Sequence, residues 1–365
     1  MENDNLRLIV LDNCKEFGEK VNEHLNNMRD ESKSYIVPID NPRFSNGESK
    51  VKILDTIRSK DVYIISDVNN HSCTYKMHGY INHKSPDDHF TDIKRVIGAI
   101  MGHATSITVV MPLLYESRQH RRKGRESLDC AMALQELENM GVKGIITFDV
   151  HDPDIQNAIP YLPFENIYPT NAILNKFIDN ENIDFRNLLI ISPDTGAMDR
   201  ARYFADMLKA DVGMFYKRRD LSKVVNGKNP IVAHEYMGKD VKGQNVIIVD
   251  DMIASGSSML EVAEELKKRG ANKVYLTATF ALFNEGIDKF NEAYKKGYFD
   301  KLYTTNLTYM NDDYKNNEWV ETVDCSRLLA KYINTLNKQQ SICNLANGKE
   351  KILCKVNEKI KNQNM

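Results

Sequence analysis

Apolar residues in this chain come in short β-branched runs, separated by stretches with helical spacing. The first half holds "RLIVLD" (7–12), "DVYIISDV" (61–68), "SITVVMPLL" (106–114) and "VKGIITFDVH" (142–151). The second half holds "NLLIISPD" (187–194), "ADVGMFYKR" (210–218), "NVIIVDD" (245–251) and "KVYLTATFAL" (273–282). Each run predicts a strand, and its nearly continuous apolar character predicts burial on both faces. Helices are predicted between them, as in "SLDCAMALQELENMG" and "SSMLEVAEELKKRG". In the latter, Met259, Val262, Ala263 and Leu266 recur at helical spacing, and Gly270 can end the helix. Alternating strand and helix is the pattern of mainly parallel sheets flanked by helices.

Eight strands exceed what one compact unit needs, so two α/β domains are expected. The pattern breaks at "LPFENIYPT" (162–170), where proline and aromatic residues interrupt it. The expected division is residues 1–166, residues 167–336 and a Lys- and Asn-rich tail over 337–365 that packs weakly or adds a late helix. The stretch 69–89 reads as a polar loop, and 226–240 as a mobile connection.

Composition narrows the classes. The chain has 365 residues, 42% hydrophobic and 27% charged, with a formal charge of −2. No global basic field points to nucleic acid. No apolar run approaches the roughly 20 residues of a membrane span, and "MENDNLRLIVLDN" does not read as a signal peptide. Six scattered cysteines without a C-x-x-C pair suit reduced thiols and a cytoplasmic location.

Ligands of open parallel sheets bind beyond the carboxyl ends of strands, so those ends are the candidate sites. Asp250 and Asp251 close one strand, and Ala254-Ser255-Gly256-Ser257-Ser258 leads into a helix. Adjacent carboxylates can accept from vicinal hydroxyls or hold a metal-bridged sugar. A loop of small residues before a helix can turn backbone N–H groups toward an anion. An ordinary strand–turn–helix with a serine N-cap is the plain alternative. Asp194, Thr195 and Gly196 repeat the arrangement, with a capped helix again the alternative. Arg118, Arg121, Arg122, Lys123 and Arg125 follow a strand; they suit either a solvated loop or a polyphosphate grip. Asp149 and His151 sit at another strand end, with Asp152 and Asp154 beside them. The cluster His71, Cys73, His78, His83 and His89 lacks zinc spacing and is read as a metal-free loop.

Taken together, the motifs resemble the ribose-phosphate diphosphokinases, or phosphoribosyl pyrophosphate synthetases. They are "RFSNGESKVKILDTIRSKDVYII" (43–65), "SRQHRRKGR", "ITFDVHDPDIQNAIPYLPFENIYPT", "IISPDTGAMDRA", "YKRRD" and "VIIVDDMIASGSSM", in that family's order over about residues 6 to 340. The resemblance implies two similar domains of the type I phosphoribosyltransferase fold. It implies transfer of the diphosphoryl group of ATP to the 1-hydroxyl of ribose 5-phosphate. Asp250 and Asp251 would hold ribose hydroxyls, and Ser255, Gly256, Ser257 and Ser258 the 5-phosphate. Asp194 would face that site through magnesium or water. Arg118, Gln119 and His151 would contact ATP, His151 also near Mg2+. Phe44, Asn46 and Glu48 would reach the adenine site of a neighbouring subunit. Lys217 and Arg219 would be the catalytic pair at the base of a flexible loop. Their alternation along a strand puts them on one face. A homo-oligomer is implied, a hexamer of dimers among the assemblies the resemblance admits.

The chain also departs from that pattern. Family members often carry Asp-Thr-Gly-Gly-Thr where residues 254–258 read otherwise, "RQD" where residues 118–120 read "RQH", and "DLHA" where 149–152 read "DVHD". A lost glycine at a φ > 0 position would cost about 1 kcal/mol. The altered 254–258 loop motivates the alternative of a catalytically weak or inactive regulatory homologue. A third reading is a phosphoribosyltransferase acting on a base.

Overall fold

A computed structural model describes residues 5–219, 231–346 and 348–363, without the side chains of 217–219, 231–234, 344, 346 and 362–363. The chain forms two compact units. One comprises Met1–Pro169, Asn306–Tyr309 and Asp324–Ala346; the other comprises Thr170–Thr305, Met310–Val323 and Asn347–Met365.

The first unit contains β1 (Leu6–Val10), α1 (Lys15–Arg29), a short antiparallel pair β2 (Ile39–Asp40) and β3 (Lys52–Ile53), and β4 (Asp61–Ile65). There follow a hairpin of β5 (Thr74–Met77) and β6 (Tyr80–His83), then α2 (Pro86–Ile100), β7 (Ser106–Val110), α3 (Asp129–Asn139), β8 (Gly144–Phe148) and β9 (Phe164–Ile167). The main sheet runs β1-β4-β7-β8-β9, all parallel. A bridge from Leu8 to Ile36 adds a step on the far side of β1, so the winding reverses between β1 and β4. Polar groups fill that reversal. Asp67 is buried and accepts from Thr308 Oγ1 (3.1 Å), the Tyr309 N–H (2.6 Å) and the Asn69 N–H (3.0 Å). Burial still raises its carboxyl to about 6. His89, also buried, meets Asn13 Nδ2 at 2.9 Å and the Asn70 carbonyl at 2.8 Å.

The second unit contains α4 (Thr170–Asn180), β10 (Leu188–Ser192), α5 (Met198–Leu208), β11 (Asp211–Arg219), β12 (Ile231–Met237) and β13 (Asn245–Ile253). It continues with α6 (Ser257–Lys268), β14 (Val274–Ala281), α7 (Asp288–Lys295), β15 (Lys301–Thr305), the short α8 (Asp312–Lys315) and β16 (Val320–Val323). Helices α9 (Ser326–Asn337) and α10 (Cys343–Ala346) belong to the first unit, and α11 (Lys349–Gln363) to the second. The second sheet runs β12-β11-β10-β13-β14-β15-β16 and is parallel except for β12. Each unit has its own apolar core, Ile64, Val109 and Leu134 lying in one and Ile248, Leu266 and Phe290 in the other.

All eight expected strands are present. Others were hidden by local chemistry. The four residues of β9 lie between Pro163 and Pro169, which is why they read as an interruption. The stretch read as a polar loop folds as β5–β6, joined by His78 (φ 50°) and Gly79 (φ 85°), two consecutive positive φ angles that suit a tight hairpin. In the tail, α11 packs on α4 and α5, burying Ile352 and Val356 while Lys355 reaches Asp179 at 3.0 Å. Ile352→Ala should therefore cost the second unit about 2–4 kcal/mol, measured as a lower denaturant midpoint. An unchanged midpoint would show that α11 adds nothing to that core.

Candidate active site

In the second sheet, β10 passes through α5 to β11 on one side, while β13 returns on its other side. The winding reverses between β10 and β13, and open parallel sheets take their ligands beyond the carboxyl ends of the strands at such a reversal. Leu188 pairs with Asn245 and Ile191 with Ile248, so the turn after Ser192 and the stretch from Asp250 share that end of the sheet.

Both aspartates lie within β13, which runs on to Ile253, rather than at its end. Asp250 Oδ1 accepts the Asp251 N–H at 2.9 Å, and Asp251 Oδ1 accepts the Met252 N–H at 2.8 Å. Asp251 is buried. Burial pushes the Asp250 carboxyl well above the usual carboxylate range, and the adjacent Asp251 carboxylate adds to this. The Arg200 guanidinium of α5 pulls the other way. Arg200 was not singled out from sequence; its signal was its place in "SPDTGAMDRA", one helical turn beyond Gly196.

Backbone bonds hold the following loop. The Ile253 carbonyl accepts from Leu282 (2.9 Å) and Phe283 (3.1 Å), and the Ala254 carbonyl from Asn284 (3.0 Å). Phe283 is buried with φ 46°, a costly angle for a bulky residue that only firm packing sustains. Gly256 has φ 72°, and a Cβ there would lie 2.2 Å from the Phe290 ring. It is the one residue of 254–258 with positive φ. Ser257 opens α6 with no φ > 0 demand, so replacing a glycine there incurs no such cost. Gly256 is also the N-cap and makes no side-chain capping bond, which corrects the serine-capped alternative. Ser255 Oγ lies 3.4 Å from both the Ser257 N–H and Ser257 Oγ. Ser258 follows in the first turn of α6, where N–H groups and the helix dipole favour an anion.

Asp194 is exposed, and its Oδ1 accepts from Gly196 (2.8 Å) and Ala197 (3.2 Å). One carboxylate oxygen thus builds the turn ahead of α5, whose N-cap is Ala197 with no side-chain capping bond, so the helix is not capped as the plain alternative expects.

The first unit's candidates lie on three loops. Arg118 and Gln119 are exposed after β7, and His151 is exposed after β8. Asp149 is buried with φ 39°, backbone strain at a strand end. His120 Nε2 lies 3.0 Å from Asp152 Oδ2, while Asp152 Oδ1 caps the Asp154 N–H at 3.0 Å. The His120 and His151 rings are 5.3 Å apart. The two departures "RQH" and "DVHD" are therefore each other's partners. The third loop is closed by the Phe44 N–H to the Glu48 carbonyl (2.8 Å) and by Asn46 Nδ2 to Glu48 Oε2 (2.9 Å).

Lys217 and Arg219 lie on β11 opposite His234 and Ile231, with a register shift between Arg218 and Arg219. Their side chains, and residues 220–230, lie outside the described residues. Among the described residues, no three His, Cys, Asp or Glu side chains gather as a metal cage.

Two family models match the chain: "N-terminal domain of ribose phosphate pyrophosphokinase" over residues 6–141 and "Phosphoribosyl transferase domain" over 165–308. A ribose-phosphate pyrophosphokinase of Vibrio parahaemolyticus is 30% identical over 309 residues, covering 84% of this chain and 90% of that protein. One from Neisseria meningitidis is 28% identical over 309 residues, covering 84% and 86%. The crystal structure of phosphoribosylpyrophosphate synthetase from Mycobacterium smegmatis superposes with a TM-score of 0.75 at 20% identity, covering 92% of this chain and 100% of that one. At that identity the likeness establishes the fold, two phosphoribosyltransferase-type α/β domains.

The raised Asp250 pKa has a stability consequence. An acid whose folded pKa exceeds its unfolded value holds a proton in the fold that the unfolded chain has released. Stability is then lost as pH rises from the unfolded value, about 4, through the folded one. Asp250→Asn keeps the Oδ1 acceptor and removes this linkage. Without ligand, the variant should gain on the wild type in denaturation between acidic and neutral pH; a constant difference would contradict the strained carboxylate.

Proposed function

The chain belongs to the ribose-phosphate pyrophosphokinase family, and on that premise we propose that it transfers the diphosphoryl group of ATP to the 1-hydroxyl of ribose 5-phosphate, releasing phosphoribosyl pyrophosphate and AMP. The observation that carries this reading is the pair Asp250 and Asp251 on the strand that feeds the Gly256 loop, at the winding reversal of the second sheet.

In this proposal Asp250 and Asp251 accept from the ribose hydroxyls, and the loop Ser255–Ser258 with the first turn of α6 holds the 5-phosphate. The sugar hydroxyls supply donors to a pair in which burial has made Asp250 costly to ionise. Arg118, Gln119 and His151 contact the nucleotide, and Phe44, Asn46 and Glu48 contact the adenine held by a neighbouring subunit. A magnesium ion borne by the phosphates would neutralise and orient them, with His151 on the nucleotide side and Asp194 on the sugar side. The O1–Pβ bond forms as the bond from Pβ to its bridge with Pα breaks. AMP keeps the bridging oxygen and its electron pair, and the 1-hydroxyl proton is released to water. No protein nucleophile is required, so positioning and charge stabilisation carry the rate. Lys217 and Arg219 are assigned the charge that develops on the transferring group. The division of labour places nucleotide contacts before about residue 166 and sugar-phosphate contacts in 167–336. A homo-oligomer and a cytoplasmic location complete the proposal. No described helix is long and apolar enough to cross a membrane.

The inactive alternative drew its support from the altered 254–258 loop. That support weakens, because the residue needing positive φ is still glycine. A base-specific phosphoribosyltransferase leaves the match over residues 6–141 without a purpose.

With ATP, Mg2+ and ribose 5-phosphate, AMP release should depend on the sugar. No sugar-dependent AMP across a range of phosphate and magnesium concentrations would remove the activity. Lys217→Ala should lower turnover by about 10²- to 10³-fold while ribose 5-phosphate still binds; unchanged turnover would take Lys217 out of the mechanism.

A further inference from the structure

The loop Arg43–Ser49 rests on the hairpin β5–β6, and the two are joined by several contacts within the first unit. The Arg43 side chain is only 9% exposed. Its Nη1 donates to the Gly47 carbonyl at 3.0 Å, closing the loop on itself. Its Nη2 donates to Asp88 Oδ1 at 3.0 Å and lies 3.8 Å from Asp92 Oδ1. Its guanidinium carbon stands 4.6 Å from the centroid of the Tyr75 ring on β5. At the hairpin turn, the His78 N–H donates to the Ser45 carbonyl at 2.8 Å. Met77 Sδ fills the space beside Gly47, where a Cβ would come within 2.6 Å of it, and Gly47 has φ 92°. Beyond the hairpin the chain enters α2, where Asp88 forms the capping box with Ser85. Asp92 is held there by Lys84 at 2.8 Å and Arg95 at 2.7 Å. One guanidinium is thus fixed between an aromatic face and two anchored carboxylates, and the loop hangs from it.

We propose that the hairpin β5–β6 is a positioning element for nucleotide recognition. Through Tyr75 and Met77 it sets the pose of Phe44, Asn46 and Glu48, and so the tightness with which ATP is taken. The inference rests on the reading that those three loop residues meet adenine. A recognition loop already fixed in its bound pose loses less entropy on binding. Loosening it weakens nucleotide binding and leaves the groups around the transferring phosphates and the sugar untouched. The loss should therefore fall on KM for ATP, while kcat and KM for ribose 5-phosphate stay in place.

Steady-state kinetics on the full-length protein, with both substrates varied, tests this. Tyr75→Ala, which removes the ring face under Arg43, should raise KM for ATP about five- to tenfold. In the same variant, kcat and KM for ribose 5-phosphate should stay within about twofold of wild type. Tyr75→Phe keeps the ring face and should stay near wild type. Met77→Ala should raise KM for ATP in the same selective way, and it carries the test if Tyr75→Ala does not fold. Phe44→Ala, measured alongside, separates the two layers. If it raises KM for ATP while Tyr75→Ala and Met77→Ala do not, the hairpin is no positioning element. If it leaves KM for ATP unchanged, the loop does not meet adenine and the inference falls with that reading. Equal rises in both KM values for Tyr75→Ala would assign the ring a general structural role and also overturn it.

Discussion

Two carboxylates on consecutive residues of a central strand, one of them buried and the other driven strongly toward its protonated form, set the terms for the second unit. A parallel strand covered on both faces has little use for such groups. Asp250 and Asp251 persist where β13 meets the winding reversal, and the neighbouring features serve to hold them there. The Asp251 and Met252 N–H groups each take one carboxylate oxygen. Backbone bonds from 282–284 fix the next two carbonyls, and the buried Phe283 keeps a left-handed backbone so that those bonds can form. Gly256 turns the chain into α6 against Phe290, where no side chain fits. Strain of this kind is expected where a site is built before its ligand arrives.

The first unit shows the same reversal put to another use. Its polar groups at β1 and β4 are turned on each other and on residues 308–309, and His89 finds partners on both ring nitrogens. The loops after β7 and β8 and the one over 43–49 are exposed over much of their length. Their order is kept by pairs that cross between loops. His120 with Asp152 and Arg43 with Asp88 each tie a stretch carrying candidate ligand contacts to a second element.

Much of this was legible in the chain. The continuous apolar runs located β1, β4, β7 and β8 of the first sheet and β10, β11, β13 and β14 of the second, and "VIIVDD" pointed to the winding reversal. What escaped was short or set by distant partners. Strands β9 and β16 have only four residues each, and β15 ("KLYTT") offers just Leu302 and Tyr303 as apolar positions. Strand β12 (Ile231–Met237) forms within the stretch 226–240 read as a mobile connection, where His234 and Glu235 break the apolar run. The hairpin β5–β6 mixes charged, polar and aromatic residues and is largely exposed, so its alternation carries little apolar signal. Arg200 stands within "SPDTGAMDRA", but its bearing on Asp250 emerges only in the fold. The substitutions at 120 and 152 read as two separate oddities along the chain and as a single pair in space. The serine at 257 looked costly only until the one left-handed position of its loop proved to be Gly256.

The central claim is that the strand–loop–helix from Asp250 to Ser258 is a preformed ribose-phosphate cradle. A crystal structure of the protein with ribose 5-phosphate tests it most directly. The account predicts the phosphate within about 3 Å of backbone N–H groups at the start of α6, the ribose hydroxyls on Asp250 and Asp251, and the loop backbone unmoved. A sugar phosphate bound elsewhere, or a 254–258 loop that must refold to take it, would contradict the account.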